Sequence, residues 1–250
     1  MPRFAANLTY LWAELPYLDR FDAAAEAGFL AVEVQQPYDV PVPETQAALH
    51  RNGLQFILLN APGPNYTGAA RGFAAVPGLE ARFDYDMRRA VRYAQALGAS
   101  CIHIMSGEAK GPEARDTLFG NLKRAAETLP QGLTLTIEPL CPESQPDYFL
   151  NSFDLAAGVI EAVGAPNVGL QFDSYHAQEI TGDALGTFQS MLPLIRHIQI
   201  GDAPGRTQPG SGKIDFAALF KAIDASGYDG WVSAEYRTEG RTDKVLDWMR

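Results

Sequence analysis

The feature that most constrains this chain is an alternation. Eight times, a short run rich in apolar residues is followed by a stretch with helical periodicity. The pattern predicts strands over 3–7, 31–34, 55–60, 101–105, 133–138, 168–173, 197–200 and 231–235. It predicts helices over 18–27, 42–52, 79–97, 113–128, 153–163, 183–191, 216–226 and 242–250. Several helices meet a glycine stop, among them Gly28, Gly53, Gly98, Gly164 and Gly227. Strict alternation of strand and helix implies a parallel sheet. Eight units in 250 residues imply closure into an α/β (β/α)8 TIM barrel, a single domain over 1–250. Three long segments, 61–78, 139–152 and 201–213, each follow a strand, which places them on the face where barrels build active sites.

The last four strands carry an unusual inner row. Side chains alternate between the two faces of a strand. Leu133, Leu135 and Ile137 alternate with Thr134, Thr136 and Glu138; Val168, Leu170 and Phe172 alternate with Gly169, Gln171 and Asp173. Ile198 and Ile200 alternate with His197 and Gln199, and Val232, Ala234 and Tyr236 with Trp231, Ser233 and Glu235. The apolar set is expected against the helices and the other set toward the barrel axis. Barrel interiors are normally filled by branched apolar residues, so a polar inner row needs a reason. Each row ends on an oxygen-bearing residue: Glu138, Asp173, Gln199 or Glu235. Neighbouring strands lie about 4.8 Å apart, so the four are expected to converge at one level. Three carboxylates brought together repel, and protonation or a cation must relieve them. An oxygen-only donor set suits one hard divalent ion, Mg2+ or Mn2+.

Charge and composition narrow the partners. The net charge of −10 repels phosphate backbones, so no nucleic-acid partner is expected. No run approaches the ~18 apolar residues of a membrane span, and the first residues lack a signal-peptide core. Two cysteines, Cys101 and Cys141, are too few for a disulfide framework and fit a reducing compartment. A cytoplasmic protein acting on a small molecule is the expectation, with a homo-oligomer left open. The Asn-x-Thr triplets at Asn7 and Asn65 are then without meaning.

Several segments together resemble the hydroxypyruvate isomerase family of the xylose isomerase-like barrels. They are Phe4-Ala-Ala-Asn-Leu, Phe29-Leu-Ala-Val-Glu-Val-Gln-Gln-Pro-Tyr, Ala75-Val-Pro-Gly and Ile137-Glu-Pro-Leu. Further along come Gln171-Phe-Asp-Ser-Tyr-His-Ala-Gln, His197-Ile-Gln-Ile-Gly-Asp, Pro209-Gly-Ser-Gly-Lys-Ile-Asp and Gly230-Trp-Val-Ser-Ala-Glu-Tyr. The resemblance covers nearly the whole chain in order. It implies that Glu138, Asp173, Gln199 and Glu235 bind the metal, and that Glu138 and Glu235 also carry protons. It implies an aldose–ketose shift on a small hydroxy-oxo acid, hydroxypyruvate to tartronate semialdehyde, through an enediolate. Related ketose 3-epimerases use histidine where Gln199 stands, so the glutamine points to the isomerases. His103-Ile-Met-Ser-Gly and His176-Ala-Gln also resemble the 2-oxo-tetronate isomerase subgroup. Two departures bear on the substrate: Arg237 replaces the family's lysine, and the segment after Pro139 reads atypically.

Other residues take weaker expectations. His176, three residues after Asp173, is a candidate for a substrate oxygen. Arg206 is a candidate for the substrate carboxylate, with Arg237 as the alternative. His103 is read as structural, and Glu108 and Glu143 as solvated loop acids. The stretch from Gly205 to Lys213 is superficially like a phosphate loop but lacks Gly-Lys-Ser/Thr at the required spacing. Three other functions compete: a ketose 3-epimerase, a metal-dependent endonuclease of the same superfamily, and a non-catalytic binding barrel. Four histidines and the acidic charge argue against the endonuclease.

Overall fold

The computed structural model describes residues 1–62 and 71–249. In chain order its strands are β1 (Arg3–Asn7), β2 (Ala31–Glu33), β3 (Gln55–Phe56), β4 (Leu58–Asn60), β5 (Cys101–His103), β6 (Thr134–Ile137), β7 (Val168–Asp173), β8 (Ile195–Ile200) and β9 (Trp231–Ala234). All neighbouring pairs are parallel, in the order β3-β2-β1-β9-β8-β7-β6-β5-β4. The two ends of this sheet are one stretch of chain. The predicted strand 55–60 breaks at Ile57: β3 pairs with β2 and β4 with β5. The Ile57 carbonyl accepts from both Ser100 N and Cys101 N, while Ile57 N donates to Val32 O. The barrel therefore closes through that stretch, as eight strands with one interrupted.

The helices are α1 (Asp19–Glu26), α2 (Val42–Asn52), α3 (Glu80–Leu97), α4 (Gly111–Thr128), α5 (Phe153–Val163), α6 (Ser174–Thr181), α7 (Ala184–Met191) and α8 (Phe216–Ala225). Two features depart from the sequence expectation. α6 lies where no helix was expected, because it starts on the residue after β7 with no loop: Asp173 is at once the last strand residue and the N-cap, its side chain accepting from Tyr175 N. The predicted helix over 242–250 is instead two short 3-10 turns, Thr242–Lys244 and Asp247–Met249. Thr242 is fully buried; it accepts from Trp12 N and is held by Glu14, and this fixes the chain before an α-turn can propagate. Within the expected loop 61–78, residues 63–70, with the Asn65 triplet, lie outside the described residues. Asn7 is fully buried, which rules out its triplet as a glycan acceptor.

The expected alternation positions the core. Leu135, Ile137, Leu170, Phe172, Ile198, Ile200, Val232 and Ala234 point outward into the layer between sheet and helices. Inside the barrel, Ala5, Ala31, Ile57, Leu58 and Cys101 form a separate small apolar cluster with Trp231 packed on it. The Arg3 guanidinium lies 4.0 Å from the Trp231 ring centroid and caps that end. The register of β7 against β8 shifts between Leu170 and Gln171, leaving Arg196 unpaired, and the Arg196 side chain lies over Gly169, where a Cβ would stand 2.2 Å from Arg196 Cγ. Asp173 pairs with Gln199 and Gln199 with Ser233, so Glu235 stands two residues beyond the Gln199 register. Strand tilt staggers the ends rather than aligning them at one level. Among the described residues no helix is long and apolar enough to cross a membrane, and Cys101 and Cys141 are both free and buried.

Candidate functional site

The strand ends bring the predicted acids together. Glu138 follows β6, Asp173 ends β7 and Glu235 follows β9, and all three are buried. Glu138 and Glu235 line one cavity of about 630 Å³, together with Tyr10, His103, His176 and Arg206. Burial and the charges of Asp173 and Glu235 push the Glu138 carboxyl well above its usual range. Burial, partly opposed by Arg206, pushes Glu235 up to about 8. Asp173 is also raised by burial, with Arg206 again opposing.

Arg206 is not a surface residue. It is buried, with Nη2 donating to Glu235 Oε1 at 2.6 Å and to Asp173 Oδ2, so one guanidinium joins two of the three acids. Its ring neighbours are Tyr10 and Tyr175, at 5.0 and 5.4 Å from the guanidinium carbon. Among the described residues Nη1 donates only to Tyr10 Oη, at 3.5 Å. The loop that delivers Arg206 is organised by Asp202, whose carboxylate accepts from Ala203 N, Gly210 N, Gly212 N and Ile214 N. At Gly212 a Cβ would stand 2.2 Å from Ala203 O. Two of the loop's glycines thus let the backbone wrap a carboxylate, which explains the glycine-rich stretch without a phosphate.

The tautomer of His176 follows from its partners. Cys141 N donates to His176 Nδ1 at 3.0 Å, so Nδ1 is bare and the ring proton sits on Nε2. Burial and the Arg206 charge hold the ring neutral, well below the ordinary histidine range. Nε2 stands 3.9 Å from Glu138 Oε1. One oxygen or nitrogen from each of Glu138, Asp173 and His176 lies within a 4.8 Å cluster. A proton on Nε2 makes His176 a hydrogen-bond donor rather than a ligand in that cluster. His103, read from sequence as structural, also faces the site: Nε2 is 3.6 Å from Glu138 Oε2 and has no hydrogen-bond partner among the described residues, and burial pulls the ring down to about 3.

A divalent cation fits these residues. Among the described residues Glu138 Oε1 is a buried oxygen with no hydrogen-bond partner, three acids share the space, and the positive charge between two of them is a side chain. Gln199 offers its carbonyl oxygen on the same side, where it accepts from Gln171 Nε2 at 2.7 Å. That nitrogen also donates to Glu138 Oε2 at 3.0 Å.

Sequence reasoning missed the floor beneath these residues. Glu33, on β2, is fully buried and accepts from Asn7 Nδ2 at 2.8 Å, His197 Nε2 at 2.7 Å and Gln199 Nε2 at 2.6 Å. Asn7 Nδ2 also donates to Glu235 Oε2 at 2.8 Å, and Gln35 Nε2 to Glu235 Oε1 at 3.0 Å. The available signal was the inner row of β2, in which Ala31 is followed two residues later by an acid. At the mouth, Arg71, Arg237 and Glu143 line the cavity and are exposed, whereas Glu108 is exposed outside the lining.

Comparison with known proteins agrees with this architecture. The profile of the xylose isomerase-like TIM barrel family matches residues 21–250. The 2-oxo-tetronate isomerase of Cupriavidus necator is 41% identical, over 100% of this chain and 98% of its own length. The hydroxypyruvate isomerase of Escherichia coli is 37% identical, over 100% and 98%. A Brucella melitensis crystal structure named as an AP endonuclease of family 2 superposes with a TM-score of 0.96 at 38% identity, covering 100% of this chain and 98% of that one. An L-ribulose 3-epimerase structure, at 23% identity and TM-score 0.79 over 100% and 84%, shares the fold. The chain belongs to the xylose isomerase-like TIM barrel family, in its group of hydroxypyruvate and 2-oxo-tetronate isomerases.

Proposed function

We infer that this protein interconverts small hydroxy-oxo acids by moving a proton between adjacent carbons through an enediolate. The observation that carries the reading is the pair Glu138 and Glu235: two buried carboxyls with raised proton affinity on the wall of one cavity. A carboxyl tuned upward exchanges protons with carbon acids near neutral pH. Glu138 has an uncommitted oxygen, Oε1, to receive a proton, while both oxygens of Glu235 are held by Asn7, Gln35 and Arg206. Glu138 is therefore assigned the first abstraction and Glu235 the return. His176 donates from Nε2 to a substrate oxygen. Arg206 meets the substrate carboxylate through Nη1, the nitrogen its own acids leave weakly engaged.

Glu138, Asp173 and Glu235, with the Gln199 carbonyl, would hold one Mg2+ or Mn2+. Bound there, the ion would polarise the carbonyl and neighbouring hydroxyl oxygens and steady the enediolate charge.

Hydroxypyruvate is the three-carbon candidate. A second reading, a four-carbon 2-oxo-tetronate, is favoured by a cavity of about 630 Å³ whose lining carries Arg71 and Arg237 as cations additional to Arg206. A nucleic-acid substrate is disfavoured by the net charge of −10 and the acidic site.

Proton NMR in D2O, with metal-loaded enzyme and a panel of hydroxypyruvate, 2-oxo-tetronates and ketohexoses, tests the reading. Deuterium is expected at the carbon next to the carbonyl of one of the acids. Exchange confined to ketohexoses would replace this reading with an epimerase, and none on any panel member would overturn it.

A further inference from the structure

Gln199 is asked to present an oxygen, but an amide presents oxygen or nitrogen with equal ease unless its surroundings decide. Here the deciding contact is Glu33. A carboxylate is an acceptor only, and Glu33 Oε1 lies 2.6 Å from Gln199 Nε2, with both residues buried. The nitrogen is committed to Glu33, so the carbonyl must turn the other way, to the side where Gln171 Nε2 meets it and Glu138. The same Glu33 oxygen receives Asn7 Nδ2, which also holds Glu235 Oε2. The second Glu33 oxygen takes His197 Nε2 at 2.7 Å. No lysine or arginine is among these hydrogen-bond partners, so what Glu33 supplies is acceptor capacity toward amides and a ring N–H.

We propose that Glu33 is the positioning residue of the site: it fixes the amide face of Gln199 and, through Asn7, the carboxylate of Glu235. It touches neither substrate nor ion and acts only through those side chains. The inference rests on the cation site proposed above.

Its test reads binding and orientation rather than turnover. Free Mn2+ is followed by electron paramagnetic resonance while it is titrated into wild type, Glu33→Met and Glu33→Ala. Both variants are expected to bind Mn2+ about 10- to 100-fold more weakly, the cost typical of losing a group that orients ligands. His197→Gln leaves the Glu33–Gln199 contact in place and is expected to stay within about threefold of wild type. In parallel, the side-chain NH2 of Gln199, assigned by its disappearance in Gln199→Glu, is expected to be protected from solvent exchange in wild type and unprotected in Glu33→Ala. A cavity effect would weaken Glu33→Ala alone, so wild-type affinity in Glu33→Met, which fills similar volume without an oxygen acceptor, overturns the proposal, as does an unprotected Gln199 amide in wild type. If wild type binds no Mn2+ yet the amide is protected only when Glu33 is present, the orienting contact stands and the cation reading above falls.

Discussion

Five strands carry a pair of inward residues two positions apart, and within each pair the chemistry reverses. At the N-terminal level stand Ala5, Ala31, Leu58, Cys101 and Trp231. Two residues on, the same strands offer Asn7, Glu33, Asn60, His103 and Ser233, and two beyond Ser233 comes Glu235. The lower set closes the barrel with apolar volume and needs no partners. In the upper set Asn7, Glu33 and Glu235 are tied by hydrogen bonds, while among the described residues Asn60 Oδ1, His103 Nε2 and Ser233 Oγ, with Glu138 Oε1 just beyond, are buried without a partner, and Asn60, His103 and Glu138 line the cavity. The difference teaches that one interior is divided into a support and a reaction chamber within a rise of ~6.6 Å, two residues of strand. Substitutions in the two levels are therefore expected to separate stability from chemistry.

The largest effects break the upper level. Glu138→Gln and Glu235→Gln are each expected to lower turnover by about 10²–10⁴-fold, read by NMR of the interconversion. Each replaces a carboxyl whose charged form its surroundings already disfavour with a neutral amide of similar size, so thermal midpoints should hold or rise. Retained turnover in either variant would remove it from the proton-carrying role. At the lower level the expected loss is of the opposite kind. Leu58→Ala should cost about 2–5 kcal/mol of stability in denaturant titrations, with turnover unchanged below the transition. A comparable loss of turnover there would mean that the two levels are not independent.

Metal loading gives a pH test with a defined sign. Without metal, Glu235 is raised to about 8 and Glu138 is also raised. An acid raised in the folded state contributes stability that is full below its unfolded value and is lost as pH climbs through the folded value. The metal-free protein is thus expected to lose stability from about pH 5 to pH 8, by calorimetry. Mg2+ or Mn2+ must displace those protons, so its affinity should rise over the same interval, with proton release seen as buffer-dependent binding heat. A pH-independent affinity would place the ion elsewhere. The smallest effect lies at the boundary of the levels. Thr136→Val deletes the hydroxyl that meets Gln171 Oε1 at 3.1 Å and should cost about 1–3 kcal/mol, with only a minor change in turnover.

Local pattern made most of this legible. The eight units, the outward apolar rows and the three acids all follow from period and order, because a parallel sheet covered on both faces forces those periods. Glu33 escaped because its significance lies in three donors brought from β1 and β8, far away in sequence. Arg206 is legible as a candidate from its place after β8, but its ties to Asp173 and Glu235 depend on a loop shaped by Asp202, which no periodicity encodes. α6 was hidden because Asp173 serves strand and helix at once, and the end of the chain because Thr242 is fixed by Trp12 and Glu14.

The double duty of Asp173 limits how this enzyme can be altered. Its Oδ1 caps α6 through Tyr175 N, which leaves Oδ2 for the site. α6 in turn carries His176 and, through Ser174, a reciprocal pair of hydrogen bonds to Gly201. Any replacement at Asp173 disturbs a charge, a helix start and the docking of the next strand together. A laboratory lineage selected for a new substrate should therefore keep Asp173 unchanged and accumulate its substitutions at the exposed mouth, around Arg71, Glu143 and Arg237, where one change alters one contact.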